Sequence, residues 1–288
     1  MRIIYTNSKG QYIDFCNIPN VSLYNVEGLE PTGLTKGTIK KAYTNGIIIN
    51  NTARAERQII LNLALEGGYL NDSIRRKLYE ILGDKEQGEF RYIDEELDVY
   101  TEAYAEAPQV ETWTLEPTMQ VAFTCPSAFF KDTQETVLNL FQVDPRLQFP
   151  LEIKEDENGV IMGAGSPTAS KFELFNKGQT STGVKIVCNF TQEVNGVKFV
   201  NESNGHILTI DYLFKQGDVL TITTERGEKG AILYRNASYT DIFSSINYGD
   251  EWLRIERGEN VIRYSHLNSD STAGLFVKIS FNALYWGI

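Results

Sequence analysis

The chain has 288 residues, of which 42% are hydrophobic and 23% charged, enough for about two ordinary globular domains and too apolar for a disordered polymer. Its net charge of −11 argues against wrapping duplex DNA, because phosphate neutralisation needs a clustered Lys/Arg face. No run of about 18 apolar residues is present and MRIIYTNSKG lacks an apolar signal core, so synthesis in a cytoplasm without membrane insertion is expected.

In chain order, RIIYTN (2–7) and QYIDF (11–15) flank SKG and predict a hairpin. VSLYNVEGL (21–29) continues as a strand, with Val21, Leu23, Asn25 and Glu27 on one parity. TNGIIIN (44–50) carries Asn-Gly, a preferred two-residue hairpin turn. RQIILNLALEGG (57–68) fits a half-buried strand by alternation, although its period alone leaves a helix open.

The clearest helix is NDSIRRKLYEILGD (71–84), with Ile74, Leu78, Ile81 and Leu82 at i, i+4, i+7 and i+8. Asp72 or Ser73 can cap its start, and Gly83 stands where a left-handed residue is expected after its end. Arg75, Arg76 and Lys77 fall on the opposite, solvated face. GEFRYIDEELDVYTEAYAEAP (88–108) and VETWTLEPTMQVAFTCPSAFF (110–130) read as two long antiparallel partners, the second strand stopped by Pro126.

Prolines, glycines and the acidic EDEN cluster within 131–167 mark a boundary, placed so that residues 1–140 form one domain and 141–288 another. Beyond it, alternating runs are separated by turn signals every 8–12 residues, the pattern of an all-β sandwich or barrel. EWLRIERGENVIRYS (251–265) reads as a hairpin turning near Gly258, with Trp252, Leu253, Ile255, Val261, Ile262 and Tyr264 as core candidates.

No catalytic kit emerges, and no catalytic, metal or cofactor-binding residue is assigned. GxSxG, HExxH, GxxxxGK[ST] and a helix-opening GxGxxG are all missing. Cys16, Cys125 and Cys188 are isolated, and His206 and His266 are the only histidines, too few for a zinc cluster. The carboxylate runs Asp94/Glu95/Glu96 and Glu155/Asp156/Glu157 read as solvated charge, although two carboxylates across a cleft would suit a glycosidase. DENG and NSDSTAG lack the spaced ligands of a calcium loop. Trp252, Tyr264, Tyr285 and Trp286 could line a sugar-binding face, but aromatic residues are also ordinary β-core.

The order of the pieces resembles the distal tail protein (Dit) family of siphophages, the long-tailed, non-contractile bacteriophages. The likeness runs from RIIYTNSKGQYIDF and VSLYNVEGL, through CPSAFF (125–130) and FELFNKGQTSTGVKIVCNF (172–190), to GDVLTITT, the 251–265 segment and the closing SFNALYWGI. Gly183-Val184 stands where the family often has proline, and the acidic stretch at 154–158 is particular to this chain.

The resemblance implies a mainly β, two-domain protein: an N-terminal β-sandwich with one α-helix that forms a ring, and a C-terminal galectin-like or carbohydrate-module-like β-sandwich whose final strands could return to the first domain. It implies a non-enzymatic virion protein at the distal tail, a homo-oligomer forming a hexameric ring without cofactors. Such a ring sits between the tail-tube protein and the tail-tip or tail-associated lysin protein, docks receptor-binding or baseplate proteins, and in some relatives is connected with cell-surface saccharide. Sequence-specific nucleic-acid binding is not implied. The alternative is a carbohydrate-binding adhesin using its C-terminal sandwich.

Overall fold

A computed structural model describes residues 1–40, 46–65, 72–111, 118–139, 141–145, 163–167 and 171–288. The fold is mainly β, with a single α-helix among the described residues. Two compact units are present: Met1–Gln134 together with Leu284–Ile288, and Glu135–Ala283.

The first unit contains β1 (Arg2–Thr6), β2 (Tyr12–Asp14), β3 (Val21–Glu27), β4 (Leu34–Ile39), β5 (Ile48–Arg54), β6 (Arg57–Leu65), α1 (Asp72–Leu82), β7 (Gly88–Ile93), β8 (Asp98–Ala105), β9 (Gln109–Glu111), β10 (Thr118–Cys125) and the start of β11 (Phe130–Asn139). One sheet runs β2-β1-β7-β8, and β11 joins β8 at Lys131↔Tyr100. The other runs β3-β6-β10-β9. Their inner faces meet at Phe123, whose ring lies 4.9 Å from Tyr5, 5.3 Å from Phe90 and 6.0 Å from Phe15. Alternation settles β6 as a strand, with Ile59, Leu61, Leu63 and Leu65 buried and the residues between them facing outward.

Helix α1 buries Leu78, Ile81 and Leu82, as its spacing predicts. The capping side chains of Asp72 and Ser73 lie outside the described residues. Gly83 does not adopt the expected left-handed conformation. Its N–H closes the last turn on Tyr79 O (2.9 Å), so the helix ends by continuing its own hydrogen-bond pattern.

Two other expectations change. The stretch 88–108 is two strands, since β7 and β8 pair with each other around Asp94–Leu97, and β10 pairs mainly with β6. The Asp94 carboxylate accepts the N–H groups of Glu96 and Leu97 and thereby makes the turn that divides them. In β3 a register shift between Leu23 and Asn25 breaks the expected parity. The β4–β5 ladder is described as far as Ile39↔Ile48, and the expected Asn45-Gly46 turn falls partly on residues outside those described.

The second unit holds the short pair β12 (Phe141–Pro145) and β13 (Gly163–Pro167), then β14 (Lys171–Asn176), β15 (Lys185–Phe190), β16 (Val194–Asn201), β17 (Ile207–Phe214), β18 (Val219–Thr223), β19 (Gly230–Arg235), β20 (Ser238–Asp241), β21 (Gly258–His266) and most of β22 (Leu275–Tyr285). Sheets β14-β21-β16-β17 and β22-β15-β18-β19-β20 enclose one continuous apolar core that includes Phe172, Ile186, Phe199, Phe214, Ile222 and Tyr264.

The expected hairpin at 251–265 is corrected. Residues 259–265 lie in β21, but 251–257 form no strand and touch the strand pattern only through the bridge Thr182↔Ile255. Buried side chains take the backbone bonds that a ladder would have used. Thr224 Oγ1 donates to Leu253 O (2.7 Å), Asn201 Nδ2 to Arg254 O (2.7 Å), and Asn260 Nδ2 to Glu256 O (2.7 Å), while Glu256 N–H donates back to Asn260 Oδ1 (2.9 Å). Leu253, Ile255, Ile262 and Tyr264 are nevertheless core; Trp252 and Val261 are half-buried.

Candidate assembly surfaces

Residues with chemical potential are dispersed or occupied. Burial pushes the Cys125 thiol up to about 12 and the Cys188 thiol higher still, which leaves neither as a nucleophile near neutral pH. His206 lies 2.9 Å from the Glu251 carboxylate, and His266 Nε2 lies 2.8 Å from Ala273 O. Two backbone N–H donors hold the Asp94 carboxyl below its ordinary value, in a turn rather than a cleft. Glu155, Asp156 and Glu157 lie outside the described residues, as does DENG. No group of three His, Cys, Asp or Glu side chains suited to a metal occurs among the described residues.

The four aromatic candidates do not form one face. Tyr264 and Tyr285 are buried, in different units. The Trp252 ring is flanked by Phe243 (5.6 Å) and by Lys229 Nζ (4.9 Å).

Two surfaces of the first unit stand out instead. The outward face of sheet β3-β6-β10-β9 is made of Ser22, Asn25 and Glu27, of Gln58, Ile60, Asn62 and Ala64, and of Thr118, Gln120, Ala122 and Thr124, completed by Gln109 and Glu111. Among these described residues there is no Lys or Arg, although the chain has 27. Side-chain bonds run across it: Gln120 Nε2 donates to Asn62 Oδ1 (3.1 Å), and Asn25 Nδ2 donates to Glu27 Oε1 (2.9 Å). Among the described residues β3 pairs only with β6 and β9 only with β10, so both sheet edges are open.

The second surface is the β4–β5 ladder, which leaves the sheet between β3 and β6. Every residue of the two strands except Arg54 is exposed. Leu34, Ile39, Ile47, Ile48 and Ile49 are each 44–61% exposed, an apolar arm that finds no core in its own unit. TNGIIIN reads in sequence only as a turn, which does not announce an exposed arm. The available signal was three successive isoleucines next to Asn-Gly without the alternation that a half-buried strand requires.

Residues 177–285 match the family model described as siphovirus-type tail component, C-terminal domain. Among curated proteins none matches the sequence. The crystal structure of the SPP1 Dit (gp 19.1) protein, described as a paradigm of the hub adsorption apparatus in phages infecting Gram-positive bacteria, is similar in fold. It has a TM-score of 0.65 and 13% identity, over 98% of each chain. A chain of the phage P2 baseplate, in its activated conformation with calcium, aligns over 100% of this chain and 99% of that one at 14% identity and a TM-score of 0.47.

Proposed function

We infer that this chain is a siphovirus-type tail component of the Dit family and works as a ring-forming hub. Its role is structural, at the distal end of the phage tail. The first unit closes head to tail with further copies into a hexameric ring. The ring joins the tail-tube protein on one side to the tail-tip or tail-associated lysin protein on the other, and the second unit is offered to receptor-binding or baseplate proteins. The role is structural and non-enzymatic.

One observation carries this reading: the cation-free sheet face with two open edges. An open β edge is a liability in a monomer and an asset in a ring, where one copy's β3 edge meets the next copy's β9 edge in a heterologous, closing contact. Repeated around an axis, that contact makes a barrel wall with Asn, Gln, Thr and Glu side chains toward the lumen. A wall with no cations lets duplex DNA pass without the counterion release that drives phosphate binding. The exposed isoleucine arm supplies a second apolar contact between copies.

Mass photometry and averaged electron images of the purified chain, alone and with the tail-tube protein, test the reading. A ring of uniform copy number is expected. A chain that stays monomeric at micromolar concentration, even with the tail-tube protein present, overturns it.

A further inference from the structure

Arg57 opens β6 and is completely buried, with 0% of its surface exposed. A guanidinium in the interior needs partners for its donors; Nε of Arg57 is buried without one, while the two Nη atoms make four hydrogen bonds. Here Nη1 donates to Gly28 O and to Glu30 O (2.9 Å for the latter), and Nη2 donates to Ala128 O (2.9 Å) and Trp286 O (2.7 Å). The guanidinium plane also lies 4.3 Å from the centre of the Phe130 ring. One planar fork thus ties together three segments far apart in sequence: 28–30, 128 and 286. A lysine, with a single nitrogen, could not span them.

Two segments that meet at Arg57 form the root of the arm. Residues 28–33 lead from β3 into the exposed arm, and 54–57 lead from the arm into β6. Both are held by the last residues of the chain. Ile288 N–H donates to Leu29 O (3.1 Å). Gly287 packs so closely on Pro31 that a Cβ would stand 2.6 Å from Pro31 Cδ. The Arg54 guanidinium lies 4.5 Å from the centre of the Trp286 ring while its Nη1 donates to Thr32 O (2.9 Å). Gly28 has φ +88°, and a Cβ there would come within 1.9 Å of Gln58 O, so the entry to the arm is pressed against β6.

We propose that residues 284–288 are a strap that locks the root of the β4–β5 arm, with Arg57 and Trp286 as its positioning residues. The direction of the arm is then fixed only after residues 135–283 have been made, because the strap follows them in the chain and returns to the first unit. A chain that has not yet made the strap carries an unanchored arm and does not add to a growing ring. This last consequence rests on the reading of the arm as an assembly element.

The test is hydrogen exchange on the full-length monomer, on a chain truncated after Tyr285, and on the Trp286→Ala and Arg57→Met variants. Exchange over 28–33 and 54–57 is expected to rise about tenfold or more in the truncated chain, with the strands of the second unit unchanged. If Arg57→Met fails to fold, Trp286→Ala still reports, because it keeps the backbone carbonyl that Arg57 needs and loses only the ring beside Arg54. Root exchange equal to the parent in both the truncated chain and Trp286→Ala overturns the strap. Raised root exchange with rings formed as readily as by the parent upholds the strap and removes the arm from assembly, so the two ideas fail separately.

Discussion

Arg235 and Asp218 meet side-on, with Nε 2.9 Å from Oδ1 and Nη2 2.5 Å from Oδ2. The aspartate closes the turn before β18, where it also accepts the Lys215 N–H (2.7 Å), and the arginine ends β19, so the pair pins a turn to a strand. Burial alone would raise the Asp218 carboxyl; the bonds from Arg235 and Lys215 outweigh it and hold it below its ordinary value. Asp218 is buried but the Arg235 side chain is 27% exposed, so Asp218→Asn should lower the unfolding free energy of the second unit by about 1.5–3 kcal/mol at pH 7, the range of a charge-assisted hydrogen-bonded contact. Because the folded-state value is depressed, the contribution is complete above the unfolded value of about 3.9 and is lost as pH falls through the folded value. Urea titrations should therefore show the gap between parent and variant closing only below about pH 4.

Phe123 is the aromatic centre of the first unit, reached by rings from β1, β7 and the residue following β2. Truncating it leaves a cavity that three large neighbours cannot fill together. Phe123→Ala should destabilise the first unit by about 3–5 kcal/mol. Hydrogen exchange read strand by strand should locate the loss in β1, β6, β7 and β10, with β15, β18 and β19 at parental protection.

Gly196 marks the register shift in β16, at φ +72°, and a Cβ there would meet Leu267 Cβ at 2.7 Å. The left-handed backbone and the contact act in the same direction. Gly196→Ala should cost about 1–2 kcal/mol from the backbone alone, with the overlap added, seen as a lower denaturant midpoint at unchanged slope.

What the sequence made legible divides along a physical line. Features set by local period were readable: the buried stripe Leu78, Ile81 and Leu82, the alternation of β6, and the stop at Pro126 after β10. Features set by a side chain reaching a distant backbone were not. Asn201, Thr224 and Asn260 satisfy the 253–256 backbone from elsewhere in the fold, so EWLRIER looks like a strand and is not one. Arg57 is equally opaque, since nothing in RQIILNLAL says that its charge faces four carbonyls. The cation-free sheet face was half legible: the missing cations of QIILNLALE and TMQVAFT are visible once the two are known to be neighbours, and that pairing is a long-range fact.

The arm should be dispensable for folding and needed for association. Ile47→Ser, Ile48→Ser and Ile49→Ser together replace side chains that are 61%, 44% and 50% exposed, so each should change stability by no more than about 0.5 kcal/mol. Sedimentation of the triple variant should show a folded chain that no longer forms rings. Rings at the parental concentration would mean that the open sheet edges suffice for assembly.

The proposed lumen has its own test, because a surface without cations can be made to bind phosphate. Asn62 and Gln120 face outward from paired strands, joined by a 3.1 Å bond. Asn62→Arg with Gln120→Arg places two adjacent cations on each copy, and a ring repeats them around its axis. Retention of a short duplex, undetectable for the parent at about 50 mM salt, should then appear and weaken steeply with added salt. Each arginine that reaches a phosphate adds about 0.9 to the slope of log affinity against log salt, so the slope counts the contacts. Asn62→Glu with Gln120→Glu controls for the change in size and should leave the duplex unbound. Equal retention by the parent and arginine rings would place this face away from the DNA path.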